Sequence, residues 1–187
     1  MRDFSLRHIL IITLVIAGAG AALFFMGRNP FCECGIISFW SGDVLSNQNS
    51  QQFADPYTFT HIIHGFGFFL LLYLIAKRLP VGVRLVIAVF LEAAWEIFEN
   101  TDMVINRYRA ETLSLDYYGD SIFNSVGDIL TTAFGFLIAA RVPVLATVLL
   151  FIFIEATLVF WIRDSLFLNI LMLIYPIEGV KVWQLGG

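Results

Sequence analysis

The sequence predicts an all-α integral membrane protein: a bundle of five transmembrane helices followed by a short C-terminal membrane helix that is interfacial, re-entrant or a sixth crossing. Two observations carry that prediction. The chain is 59% hydrophobic and 16% aromatic against only 14% charged, with a mean hydropathy of +0.82, whereas soluble domains are apolar over about half of their residues. The apolar residues also gather into runs of about 20, the length that crosses roughly 30 Å of hydrocarbon. The 187 residues suit a single polytopic domain, 1–187, with residues 27–58 as a long extracytoplasmic loop within it.

The five expected spans are about 8–26, 59–77, 82–100, 120–140 and 143–161. The first has a basic flank, Arg2 and Arg7, like a signal peptide. Phe24, Phe25 and Met26 do not form a small-residue cleavage site, however, so it reads as a retained helix. The stretch 165–177 contains Asn169 and Pro176 and is short for a crossing. Orientation follows from the basic residues. Placing Arg2, Arg7, Lys77, Arg78, Arg84 and Arg141 in the cytoplasm puts the N-terminus inside and leaves Arg107 and Arg109 as the dissenting pair. The eleven basic residues never form a run longer than Lys77-Arg78 and the formal charge is −4. No nucleic-acid partner is expected.

With that orientation the polar groups of the spans converge. His61 and His64 lie at the outer end of the second span. Glu92, Glu96, Glu99 and Asn100 occupy the outer half of the third, and Asp120, Ser121, Asn124, Ser125 and Asp128 that of the fourth. Glu155 falls six residues before the outer end of the fifth, roughly 9 Å deep at 1.5 Å per residue. Glu92, Glu96 and Glu99, spaced i, i+4, i+7, share one helix face. Asp120, Asn124 and Asp128 descend another stripe, with Gly127 beside it allowing a neighbouring helix to approach closely.

Three ionised glutamates on one membrane face would each cost several kcal/mol to desolvate. Protons, histidinium, water or a metal ion must compensate. Two imidazoles with several carboxylates suit a divalent metal, zinc best, with manganese or iron as alternatives. His61, His64, Glu96 and Glu99 are the expected ligands. Glu92, Asp120 and Asp128 are the expected catalytic or proton-handling groups, and Asn100, Ser121, Asn124 and Glu155 the groups around substrate. Blander readings stand beside these. Ser125 suits a helix–helix hydrogen bond, His64-Gly65 a packing site, Glu99-Asn100 a solvated helix end, and Glu155 an interhelical pair. Ser121 beside a histidine could also serve as a nucleophile. No phosphate-binding glycine loop, dinucleotide fingerprint or nucleophile elbow is present.

The outer loop is long enough to form a lid. Its Cys32 and Cys34 would face an oxidising space, where a Cys-x-Cys bridge closes a very small ring. Trp40 and Tyr57 suit interfacial anchors.

The phrases "CECG", "SQQFADPYTFTHIIHGFGFF", "EAAWEIFEN", "YYGDSIFNSVGD" and "RDSLFLNILMLIYPIEGVKVWQ" resemble a family of small bacterial inner-membrane proteins of unknown function, over Cys32 to Gln184. More distantly, a membrane histidine, a glutamate helix and then D-x-x-x-N-x-x-G at Asp120, Asn124 and Gly127 resemble VanZ-like proteins. That resemblance implies a role in the cell envelope. The expected function is a membrane-embedded, metal-dependent hydrolase or transferase acting on a lipid or lipid-linked substrate at the outer leaflet of the inner membrane. Two alternatives remain. One is a non-catalytic envelope assembly or lipid-binding protein. The other is a small proton-coupled transporter, for which a homodimer would be the working unit because five or six spans are few for alternating access.

Overall fold

The computed structural model describes residues 4–186; Arg2, one of the orientation markers, lies outside them. Among the described residues there are eight helices and no strand. In order they are α1 (Leu6–Phe25), α2 (Thr58–Ile75), α3 (Val81–Glu99), α4 (Asp102–Glu111), α5 (Ile122–Ala139), α6 (Val144–Ile162), α7 (Leu166–Ile174) and α8 (Glu178–Gln184). Four of them, α1, α2, α5 and α6, are long and apolar enough to cross a membrane. They mark a membrane protein. The 19-residue α3 matches them in length but carries Arg84, Glu92, Glu96 and Glu99.

The helix boundaries follow from the chain. Pro80 and Pro143 stand at the N-caps of α3 and α6, where a fixed φ helps and a missing N–H costs nothing. Arg163 ends α6 in the left-handed conformation, and its Nη1 donates to the Trp183 carbonyl of α8. The Tyr175-Pro176 pair stops α7 after nine residues, because proline can neither donate to the preceding turn nor tolerate a helical residue before it. Nine residues rise only about 14 Å, so the expectation of a sixth crossing at 165–177 is set aside.

The core joins α1, α2, α3 and α5 around Leu72, Leu85, Val89, Ile129 and Phe136. α2 and α5 have the most extensive contact of any two helices, and glycine is the reason. A Cβ at Gly65 would fall on the Thr132 carbonyl and the Phe136 nitrogen, and one at Gly135 on the Ile62 carbonyl. The two backbones therefore touch, which a side chain on either helix would prevent.

Four expectations need correcting. α4 was not foreseen, because its apolar face, Val104, Ile105 and Tyr108, is short and interspersed with Asp102, Arg107, Arg109 and Glu111. α5 begins at Ile122, so Asp120 lies in the preceding loop and Ser121 is the N-cap. Gly127 admits the outer loop and not a helix, since a Cβ there would strike the Phe53 carbonyl. Arg84 is no loop flank: it lies within α3, 7% exposed, its guanidinium carbon 5.6 Å from the centre of the Phe69 ring.

The outer loop packs onto the helices. Ile122 and Phe123 donate their N–H groups to Asn29 and Pro30, Ser121 donates its own to Ser50, and Asn124 Nδ2 donates to the Gln52 carbonyl. The loop thereby satisfies the free N–H groups at the start of α5. Cys32 and Cys34 form a disulfide within it.

Candidate metal centre

Glu92 is fully buried and sits between two imidazoles. Its Oε1 lies 2.5 Å from His61 Nδ1 and 3.0 Å from His64 Nδ1. α2 carries the histidines three residues apart, and α3 brings Glu92 to the face they share. These are hydrogen-bond lengths. A tetrahedral ion with bonds of about 2 Å would hold its donors more than 3 Å apart, so no ion fits between His61 and Glu92. The arrangement matches an orienting carboxylate, which fixes each Nδ1–H and leaves Nε2 as the free donor.

One helical turn along α3, Glu96 is 1% exposed and neither of its carboxylate oxygens has a hydrogen-bond partner. Two sets of three potential donors meet there: His61, Glu96 and Asp128, and Glu96, Glu99 and Asp120. In the first, His61 Nε2, the nitrogen that Glu92 leaves free, is 3.8 Å from Asp128 Oδ2. Such a spacing leaves room for an ion. A buried carboxylate with no protein partner carries a penalty that a proton, a bound water or a cation relieves.

The surrounding carboxylates are held in place. Asn100 ends α3 and pairs twice with Asp120, donating from Nδ2 to Oδ2 at 2.7 Å and accepting the Asp120 N–H at 2.8 Å. Tyr117 donates to Asp120 Oδ1 at 2.9 Å, and Tyr108 donates to Glu99 Oε1 at 2.6 Å. Burial, then the neighbouring carboxylates, push both tyrosine hydroxyls well above their ordinary range, so they remain donors. Thr58 donates to Asp128 at 3.2 Å.

Two expected substrate groups are not brought to this centre. Glu155 accepts the N–H groups of Leu166 and Phe167 at 3.0 and 3.2 Å and so caps α7. Ser121 is committed to structure: its hydroxyl donates to the Gln51 carbonyl and accepts from the Asn124 N–H. Ser121 does not line the cavity, so the geometry lends the nucleophile reading no support. Asn124 lines the cavity, but its amide serves the loop.

A cavity of about 990 Å³ opens onto the centre. His61, His64, Glu99, Asp120 and Asp128 line its polar end, and α3 and α7 supply apolar walls.

Over residues 23–186 the chain matches the family described as Protein of unknown function (DUF2585). The chain belongs to this family. Among its relatives is a UPF0314 protein of Paracoccus denitrificans, 52% identical over 171 residues, covering 91% of this chain and 89% of the relative. A UPF0314 protein of Sinorhizobium fredii is 54% identical over 161 residues, 86% of this chain and 82% of its own. One from Sphingopyxis alaskensis is 48% identical over 178 residues, 95% of both chains. No solved structure matches the chain.

In this family member, sequence reasoning missed three contributors to the cavity. Tyr108 and Tyr117 come from α4 and the loop after it, and no helical stripe announced them. Asp55 is buried and accepts the N–H groups of Ser50, Tyr57 and Thr58. Burial raises its carboxyl above the ordinary range against the pull of those donors. The signal was legible, since Asp-Pro-x-Thr before an apolar run is a helix-start pattern. Tyr57 is also more than an interfacial anchor: its hydroxyl donates to Asp164 at 3.0 Å.

Proposed function

We propose that the protein is a metal-dependent hydrolase or transferase of the bacterial inner membrane, acting on a lipid or lipid-linked substrate at the outer leaflet. On this reading α3 crosses beside the four apolar helices, giving five spans, and the N-terminus is cytoplasmic. The single observation that carries the proposal is Glu96, buried, with both oxygens unpartnered where two donor sets overlap, beside a cavity with one polar end.

Roles follow from the geometry. Glu96, His61 and Asp128 would hold the ion, with Glu99 and Asp120 completing or extending the set. Glu92 orients both imidazoles through Nδ1, and Asn100, Tyr108 and Tyr117 fix the carboxylates. A divalent cation there, zinc best suited and manganese or iron also compatible, would supply Lewis acidity and a water that ionises near neutral pH. A carboxylate left outside the coordination shell, Glu99 or Asp120, is placed to take the proton as general base. The VanZ-like pattern at Asp120, Asn124 and Gly127 adds the cell envelope as the setting.

One observation favours a non-catalytic network instead. The His61–Glu92–His64 and Asn100–Asp120 pairings are satisfied by hydrogen bonds among these side chains alone. Elemental analysis of the detergent-purified protein separates the two readings. The expected result is about one zinc, manganese or iron per chain, lost in His61→Ala and Glu96→Ala while both variants stay folded. Wild-type protein that holds no metal and takes up none on addition would leave the polar network.

A further inference from the structure

The cavity has a second end that metal chemistry does not use. On α3, Leu91, Trp95 and Phe98 line it, spaced i, i+4, i+7 on one helix face. On α7, Ile170, Leu173 and Ile174 form the facing stripe. From Glu99 to Leu91 the cavity follows α3 for eight residues, about 12 Å, close to the depth of one hydrocarbon leaflet. Phe98, Ile170 and Ile174 are 45%, 45% and 77% exposed while lining it, so the cavity reaches the protein surface between α3 and α7 through apolar side chains.

α7 is built to be a wall. It is too short to cross, and three devices hold it in place. Ser165 caps it through the Leu168 N–H, and Glu155 caps it from α6. The Arg107 guanidinium on α4 donates from Nε to the Leu173 carbonyl near its far end. A cleft for a water-soluble substrate gains nothing from two facing apolar stripes open to hydrocarbon. An amphiphile uses both ends.

We infer that the groove between α3 and α7 is the binding site for a hydrocarbon chain of a membrane lipid, which enters sideways from the bilayer and places its polar part against His64, Glu99 and Asp120. The assignment rests on the reading of the site as one that works on a membrane substrate, and it deepens that reading by fixing the route and the chain. The chain lies along Leu91, Trp95 and Phe98 on one side and Ile170 and Ile174 on the other. Ala94, small and in the same wall, leaves the space the chain fills.

The test is photolabelling in vesicles of phosphatidylethanolamine and phosphatidylglycerol that contain a phospholipid with a diazirine at its acyl terminus, followed by peptide mapping. Helix α6 is the internal reference, since Phe151 and Phe153 on it are exposed apolar residues away from the cavity. Labelling of α3 and α7 should exceed that of α6 by about tenfold, as a site favoured by roughly 1.4 kcal/mol over bulk lipid would give. Ala94→Trp, or Ile170→Trp should the first fail to fold, should abolish the excess and leave α6 unchanged. Even labelling of α3, α6 and α7 in the wild type, or an excess that survives a folded groove-filling variant, overturns the inference. Metal content of the same preparations keeps the two proposals apart. Groove labelling without metal supports the chain site and removes the metalloenzyme; metal without groove labelling does the reverse.

Discussion

At Glu96 a single side chain concentrates the chemistry of the molecule. Its two oxygens are buried without hydrogen bonds, while Glu92, four residues earlier, has two imidazole partners. The same residue type on the same face is thus in opposite states, and substitutions should separate them. Glu96→Gln should lose the metal and, measured metal-free, stay folded with a melting temperature close to that of the equally metal-free wild type, because a neutral amide replaces a carboxyl that is itself neutral without a cation. Glu92→Gln should keep the site but weaken metal affinity by about 10- to 100-fold, the usual cost of removing an orienting partner. Titration of apo-protein with zinc measures both, and equal losses in the two variants would refute the division of roles. The stripe of three glutamates was legible in the sequence as i, i+4, i+7. Which one lacks a partner was not, because that depends on where α2 places its histidines.

Helices α2 and α5 meet through Gly65 and Gly135, and their contact sets the distance between His61 and Asp128. Gly65→Ala puts a methyl group on the α5 backbone and should cost about 1–3 kcal/mol of stability, the range for overpacking. Metal affinity should fall with it, since the donors of the two helices move apart. Thermal unfolding and zinc titration of the same variant test this, and an unchanged melting temperature would show that the crossing is looser than the glycines indicate. On α6 and α7 the expected effect is local. Glu155→Ala removes the acceptor for two N–H groups and should destabilise α7 by about 1 kcal/mol, as loss of a helix cap does. Amide exchange in 166–169 should speed up while the metal site is unaffected. The sequence showed Glu155 as a charge on an apolar helix, yet its partner is a helix start that exists only once Pro176 and Ser165 have delimited α7.

Across the whole molecule, Asp164 ties three distant parts of the chain together. It is 1% exposed and accepts from Tyr57 of the outer loop, from Asn169 on α7 and from Gln184 on α8. Burial pushes its carboxyl up from 3.8 to about 6, against the pull of the Ser165 N–H and those side chains. A carboxyl that holds its proton more tightly when folded contributes stability that is complete below its unfolded value. For Asp164 that contribution is present below about 3.8 and is lost as pH rises through about 6. The difference in unfolding free energy between wild type and Asp164→Asn should therefore change across pH 4 to 6 and level off above it. A difference that is flat over that window would show Asp164 titrating as an exposed carboxyl does.

The sequence by itself determined that this is a membrane protein of long apolar helices, with His61 and His64 and the acids of the later helices on stripes that can meet. Hydropathy and helical phase are local quantities, carried by the order of residues and independent of how the helices pack. Packing alone decided the rest. It paired Glu92 with His61 and His64, left Glu96 without partners, turned Ser121 into a cap and Glu155 away from the centre, and brought Tyr108 and Tyr117 over it from a short polar helix and the loop that follows it. Those outcomes depend on distances between segments far apart in the chain. Two glycines, one proline and a buried aspartate set those distances once the chain has folded.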